Sequence, residues 1–229
     1  MLGAPLRRKR RLMRTTKIDI DHWDHAGPFR LYSGYERPQY GLTARLDLTR
    51  LMTVLKPAGH RPFIVMLHAF CQAGNAVVPF RQRLRGGTDG EPLGAVEHES
   101  IGVSPTVARP DGSFAFCAVP QAADYAAFAA DATRRIGEAA SSAGLDNPAT
   151  DDGWLYMSCT PKVDFTALTN AMEGPLDCVP RVVWGKFVED GAGRWSCAVS
   201  VEVHHCLVDG GHIADFLEKA QNAIDTLEA

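Results

Sequence analysis

The sequence lacks several features that would place a protein in a membrane, outside the cell or around a metal. No apolar run is long enough to cross a bilayer, and no apolar h-region of a signal peptide follows its basic start. The six cysteines include no CxxC pair, so neither a zinc ribbon nor a thiol redox motif is indicated. We expect them to be buried thiols in a reducing compartment, and we expect a cytoplasmic protein with no membrane partner.

The charge is unevenly distributed along the 229 residues. The formal net charge is −3, yet residues 1–17 contain only basic charges, which leaves the rest of the chain acidic and a poor partner for nucleic acid. The basic start could be a nuclear-type signal, a nucleic-acid arm, or an unstructured extension ahead of an internal start at Met13. We expect residues 1–16 to be a disordered extension and residues 17–229 to form one domain.

Hydrophobic periodicity predicts interleaved strands and helices, without repeats and without a linker. Strands are predicted at 40–48, at 79–85 and 93–98 around a Gly-rich turn, at 104–110 and 113–120 around a second turn, and at 154–161, 181–190 and 194–205. Helices are predicted at 62–78, 121–143 and 211–227. This order favours an α/β or α+β domain in which helices cover a mixed sheet.

The densest polar cluster, His204 to Gly210, lies where the last strand ends and the last helix begins. Adjacent side chains on a strand point to opposite faces, so at most one of His204 and His205 can face a given cleft. Asp209 is placed to cap the helix. Two structural histidines before a helix-entry turn would give the same pattern. A zinc site is disfavoured because His204, His205 and Asp209 lack a fourth ligand at a usual spacing, and we expect no metal.

Ser158 is the second polar candidate. A solvent-facing serine on an edge strand is its simplest interpretation, and the absence of a GxSxG motif argues against a serine nucleophile. A Cys206–His205 pair is disfavoured too, because neighbouring side chains on a strand diverge.

Longer motifs add a resemblance to a known family. His204-His205-Cys206-Leu207-Val208-Asp209-Gly210 resembles the HHxxxDG signature of the chloramphenicol acetyltransferase superfamily. Four further segments are similar to segments of the classical chloramphenicol acetyltransferases: IDIDHWDHAGPFRLY, PFRQRL, WLYMSCTPKVDFTAL and VVWGKF. The resemblance therefore covers about residues 17–228.

The resemblance implies a single-domain chloramphenicol acetyltransferase-like sandwich, an acyltransferase of the antibiotic-resistance type. His205 then matches the general base, Ser158 the hydroxyl that donates to the oxyanion, and Asp209 the aspartate that holds the site together. Tyr32 and Leu31 match the acceptor pocket. Acetyl-CoA is implied as cosubstrate with no tightly bound cofactor, a small hydroxylated molecule as acceptor, and direct transfer in a ternary complex. A homotrimer is also implied, with His205 from one subunit and Ser158, Tyr32 and most of the pocket from its neighbour.

Two positions depart from the family pattern. His25 stands where the family has an arginine paired with the motif aspartate, so we expect His25 to be the structural pair of Asp209 and the carboxylate to raise the pKa of His25. Val183 stands where the family has a threonine. These departures leave two other interpretations open, a biosynthetic acyltransferase with another acceptor and a small-molecule-binding protein that has lost turnover.

Overall fold

A computed structural model describes residues 14–88, 90–122 and 124–229. The strands are β1 (Thr15–Lys17), β2 (Gln39–Asp47), β3 (Gln82–Arg85), β4 (Gly94–His98), β5 (Gly102–Ala108), β6 (Phe114–Phe116), β7 (Trp154–Cys159), β8 (Arg181–Trp184), β9 (Val188–Glu189) and β10 (Trp195–His204). The helices are α1 (Ala26–Tyr32), α2 (Pro62–Ala76), α3 (Tyr125–Ser141) and α4 (Gly210–Asp225). Within these ranges no helix is long and apolar enough to cross a membrane.

The large sheet is mixed, as predicted, and has the order β2-β10-β8-β7-β5-β6, with β9 beside the start of β10. β10 is antiparallel to β2 and to β8, whereas β8, β7 and β5 run parallel to one another. Almost every residue of β10 is buried. The last strand is therefore central, which places its C-terminal end, with the two histidines, inside the domain.

Helices α2 and α4 pack together on this sheet. Nearly every α2 side chain from Ile64 to Gly74 is buried, which explains an apolar sequence without a polar face. Between the helices, the Phe216 ring stacks on the Phe80 ring with centroids 4.3 Å apart and on the Phe70 ring at 5.8 Å. Helix α3 was predicted from residue 121 but begins at Tyr125, because Asp124 caps it by accepting a hydrogen bond from the Ala127 amide at 2.8 Å.

A smaller antiparallel sheet, β1-β4-β3, is joined to the large one by Asp152. Its carboxylate receives a bidentate hydrogen bond from Arg85 at 2.6 and 3.0 Å and one from His98 at 2.9 Å. Burial alone would raise the pKa of Asp152, but these hydrogen bonds and the charges of Arg85 and Arg83 outweigh burial and hold the pKa well below its ordinary range. The carboxylate therefore stays ionised and fixes β3 and β4 against the start of β7.

Several boundaries differ from the sequence predictions. Thr15 and Thr16 belong to β1 and pair with His98 and Glu97, so the extension expected over residues 1–16 ends at least two residues earlier; residues 1–13 lie outside the described ranges. The strand predicted over 181–190 is interrupted after Trp184. A side chain at Gly185 would lie 2.7 Å from the Val163 carbonyl oxygen, so the chain passes too close to that loop to continue the strand.

Candidate active site

His204 is held by two hydrogen bonds at the end of β10. Its Nε2–H donates to the Pro175 carbonyl at 2.8 Å, and its Nδ1 accepts from the Cys206 amide at 3.2 Å. The side chain is buried, and burial lowers the pKa of His204. Both ring nitrogens are therefore occupied in the neutral tautomer, and His204 is a structural residue.

His205 lies between two tyrosine rings. Its imidazole stacks on Tyr32, with centroids 3.9 Å apart and planes 9° from parallel, and on Tyr40 at 4.2 Å and 25°. The Nδ1 atom is buried and has no hydrogen-bond partner among the described residues. The main-chain amide donates to the Pro38 carbonyl at 2.9 Å, which fixes the backbone at the turn. The rings thus hold the imidazole plane without occupying Nδ1.

The contact with Tyr32 corrects one expectation. Tyr32 belongs to the same chain as the His205 it contacts, not to the neighbouring subunit. Leu31, in the same helix, is 56% exposed. Tyr40 was missed by the sequence analysis, because only the observed register, in which Tyr40 faces Val203, brings it to the histidine. Burial, followed by the charge of Asp209 and by Tyr32, raises the pKa of Tyr40 to about 12, so its hydroxyl stays protonated.

Asp209 caps α4 as predicted and bonds to a residue that the sequence analysis did not select. Its Oδ1 accepts from the His212 amide at 3.1 Å, and the His212 Nδ1 accepts from the Asp209 amide at 3.1 Å. This reciprocal pair is a capping box in which histidine takes the position usual for glutamate. Burial opposes the charge of Asp209, but the His212 amide and the charges of His212 and His25 lower its pKa.

His25 lies beside this pair without joining it. Asp209 contacts His212, with its Oδ1 3.2 Å from the His212 Nδ1, while the ligand atoms of His25, Asp209 and His212 all lie within 4.8 Å of one another. The Nε2 of His25 is buried and has no hydrogen-bond partner among the described residues. Burial and then the charge of His212 lower the pKa of His25, and Asp209 offsets them only in part. The expected rise in its pKa is therefore wrong, because desolvation and a second histidine outweigh the carboxylate.

Ser158 lies in the interior of the large sheet, not on an edge strand, since β7 pairs with both β5 and β8. Its Oγ and the Thr106 Oγ1 share a hydrogen bond of 2.9 Å. Val183 is its direct neighbour on β8. All three line a cavity of about 520 Å³ that also contains Asn170 and Arg181. The side chain at Val183 offers this cavity no hydroxyl.

A second cavity, of about 600 Å³, adjoins the first at Thr106, which lines both. Its walls combine two cations, Arg61 and Lys186, with aromatic rings that include Trp184 and Phe187. Thr106, which is hydrogen-bonded to Ser158, therefore lies at the junction between a polar cavity and one that suits an anionic ligand with an apolar arm.

Ser158 and His205 are far apart within one chain. Ser158 is level with Val183, and Val183 is level with Ser200 on β10. His205 lies five residues beyond Ser200, so the two candidates are separated by about 16 Å along the strand and about 10 Å across it. General base and oxyanion donor must both lie within about 3 Å of the reacting groups. One chain alone cannot bring them together.

The whole fold matches a solved chloramphenicol acetyltransferase with a TM-score of 0.80 and 23% identity, over 92% of this chain and 100% of that one. A dihydrolipoamide acetyltransferase from Azotobacter vinelandii matches with a TM-score of 0.62 and 17% identity, over 88% of this chain and 86% of that one. The chain is an acyltransferase. More narrowly, it belongs to the chloramphenicol acetyltransferase family, whose model matches residues 13–221.

Curated relatives agree with the family over nearly the full length. A chloramphenicol acetyltransferase from Campylobacter coli is 25% identical over 93% of this chain and 100% of the relative. Chloramphenicol acetyltransferase 2 from Escherichia coli is 26% identical over 94% of this chain and 99% of the relative.

Proposed function

We propose that this enzyme transfers an acetyl group from acetyl-CoA to a hydroxyl of chloramphenicol or of a related small molecule. The observation that carries the proposal is the contrast between the two histidines. Both ring nitrogens of His204 are hydrogen-bonded, whereas the His205 ring is held by stacking between Tyr32 and Tyr40 and makes no side-chain hydrogen bond among the described residues. A histidine in this state is positioned for proton transfer and is not committed to the fold.

The reaction then needs no acyl-enzyme. As the acceptor oxygen attacks the thioester carbonyl carbon, neutral His205 takes the hydroxyl proton, which contributes about 10²- to 10⁴-fold. The Ser158 hydroxyl donates to the carbonyl oxygen as it becomes an oxyanion, a contribution of roughly 3 kcal/mol. Collapse of the tetrahedral intermediate breaks the carbon–sulfur bond, and the leaving thiolate takes the proton from the His205 imidazolium.

The separation of Ser158 from His205 supports an assembly in which each site is completed by two copies. In this arrangement His205 and its stacking partner Tyr32 come from one copy, and Ser158 with Thr106 and Val183 from the next. We propose a homotrimer, since repetition of such a head-to-tail interface closes into a ring.

The two cavities that meet at Thr106 support a separate binding site for each of the two substrates. Arg61 and Lys186 suit the phosphate groups of a CoA ester, and the aromatic walls suit its pantetheine arm. The acceptor would lie on the opposite side of Ser158, in the cavity with Asn170 and Arg181. All six cysteines are unpaired, which supports action in the reducing cytoplasm.

The test is release of CoA thiol from acetyl-CoA with a panel of amphenicols and a mixed library of alcohols, with products identified by mass spectrometry. Acetylated chloramphenicol, formed by the parent and not by the His205→Ala variant, is the expected result. Acetylation of library alcohols without amphenicols would support the biosynthetic alternative. Binding of acceptor without thiol release from any alcohol would contradict the proposal and favour the binding-protein alternative.

A further inference from the structure

A second cluster of polar side chains lies beside the catalytic histidine, and none of its members transfers a proton or donates to the oxyanion in the proposed reaction. His25, at the start of α1, meets Asp209 and His212 in the first turn of α4, and the ligand atoms of the three all lie within 4.8 Å of one another. The His25 and His212 ring centroids are 5.6 Å apart. The cluster thus joins two helices that are far apart in the sequence.

One ring nitrogen of this cluster has no hydrogen-bond partner in the described chain. The Nε2 of His25 is buried from solvent and makes no hydrogen bond there. A buried polar nitrogen without a partner costs free energy, and that cost is recovered when a ligand supplies the missing bond. Asp209 and His212 satisfy each other through the capping box, so His25 is the unsatisfied member.

We propose that His25, Asp209 and His212 bind one divalent transition metal ion of the zinc type. Two imidazoles and one carboxylate are a usual ligand set for Zn²⁺, with water in the fourth position. Zinc bonds of about 2.1 Å require ligand atoms roughly 3.4 Å apart. Asp209 and His212 are already 3.2 Å apart, so His25 is the side chain that must move closer, by about 1.4 Å at most. Small rotations of surface-accessible side chains provide such a movement.

The donor set also selects the metal. Nitrogen ligands favour Zn²⁺, Co²⁺ or Ni²⁺ over Mg²⁺ and Ca²⁺, which take oxygen ligands. Ligation through the His212 Nδ1 would replace its hydrogen bond from the Asp209 amide, while the bond from the His212 amide to Asp209 Oδ1 is kept. The set that sequence spacing disfavoured as a zinc site was His204, His205 and Asp209. His204 donates to the Pro175 carbonyl instead, and the histidines near Asp209 are His25 and His212.

The test is metal binding to the full-length, chelator-treated protein, which does not depend on acetyl transfer. Zinc titration by calorimetry and cobalt titration by visible absorption should give one ion per chain with the intense bands of tetrahedral Co²⁺, and Zn²⁺ but not Mg²⁺ should raise the Tm. His25→Gln should weaken zinc binding at least 100-fold, since loss even of an outer partner costs about 10- to 100-fold.

Two variants separate loss of a ligand from loss of fold. His22→Gln is the matched control, because His22 lies three residues away and also pairs with a carboxylate, Asp19 at 2.9 Å, but is exposed. It should bind zinc like the parent. His25→Arg should retain the metal-free Tm, since the arginine can pair with Asp209, and should lose the zinc-induced rise. Zinc binding that is absent in the parent, unchanged in His25→Gln, or equally reduced in His22→Gln would overturn the proposal.

Discussion

Removing the hydroxyl at Ser158 should slow the chemical step much more than removing its hydrogen-bond partner. In Ser158→Ala the oxyanion loses its donor, so kcat should fall about 10²- to 10³-fold with little change in KM. In Thr106→Val, Ser158 loses the 2.9 Å hydrogen bond that fixes its rotamer but keeps its own O–H. One such bond is worth about 0.5–1.5 kcal/mol, so kcat should fall only about 2- to 13-fold.

The assay is steady-state thiol release over a matrix of both substrate concentrations, which separates kcat from each KM. Unfolding of both variants should be followed in parallel, because each removes a hydroxyl from the sheet interior. If Thr106→Val proved as damaging to kcat as Ser158→Ala, or if Ser158→Ala stayed within twofold of the parent, Ser158 would not be the oxyanion donor. An acetyl group trapped on Ser158 would contradict direct transfer.

The remaining predictions concern the two histidines and the carboxylate between the sheets. His205→Ala should lower kcat at least 10³-fold with little change in KM. His204→Ala should instead lower the free energy of unfolding in urea by about 2–4 kcal/mol, because it removes two buried hydrogen bonds. A larger loss of stability in His205→Ala than in His204→Ala would reverse the assignment. Asp152→Asn should destabilise the protein by about 1–3 kcal/mol at pH 7. Because folding lowers the pKa of Asp152, its contribution to the free energy of unfolding is complete above the pKa of the unfolded chain and is lost as pH falls toward the pKa of the folded chain. The difference in stability between parent and variant should therefore shrink below about pH 4. A difference independent of pH would mean that the charge of Asp152 is not what stabilises this junction.

Most of the fold could be predicted from hydrophobic patterning alone, because helices and antiparallel hairpins are local. Strand β2 was predicted at 40–48 and spans Gln39–Asp47, and α2 was predicted from Pro62 and begins there. The parallel pairing of β5, β7 and β8 was not predicted, since it depends on contacts between distant segments. Helix α1 was missed because it is short and buries only Ala26 and Phe29.

The residues of the candidate site also fall into those that could be predicted from the sequence and those that could not. His204, His205 and Asp209 could be selected because they lie within one short motif, and the capping role of Asp209 follows from its position before a helix. Tyr40 and His212 were not selected as site residues, because a ring stack and a reciprocal cap depend on side-chain geometry. The pKa of His25 was predicted in the wrong direction because burial and the proximity of His212 cannot be read from the sequence.

The division of the catalytic site between two copies is tested by mixing two inactive variants. His205→Ala and Ser158→Ala chains are co-expressed in equal amounts with different tags, and doubly tagged assemblies are purified and assayed. If each site takes His205 from one copy and Ser158 from another, every mixed trimer contains one site of three with the parental pair, so the doubly tagged assemblies should show about one third of the parent's activity. If both residues acted within one chain, no site would be restored, and activity no higher than that of the two variants assayed separately would contradict the shared site.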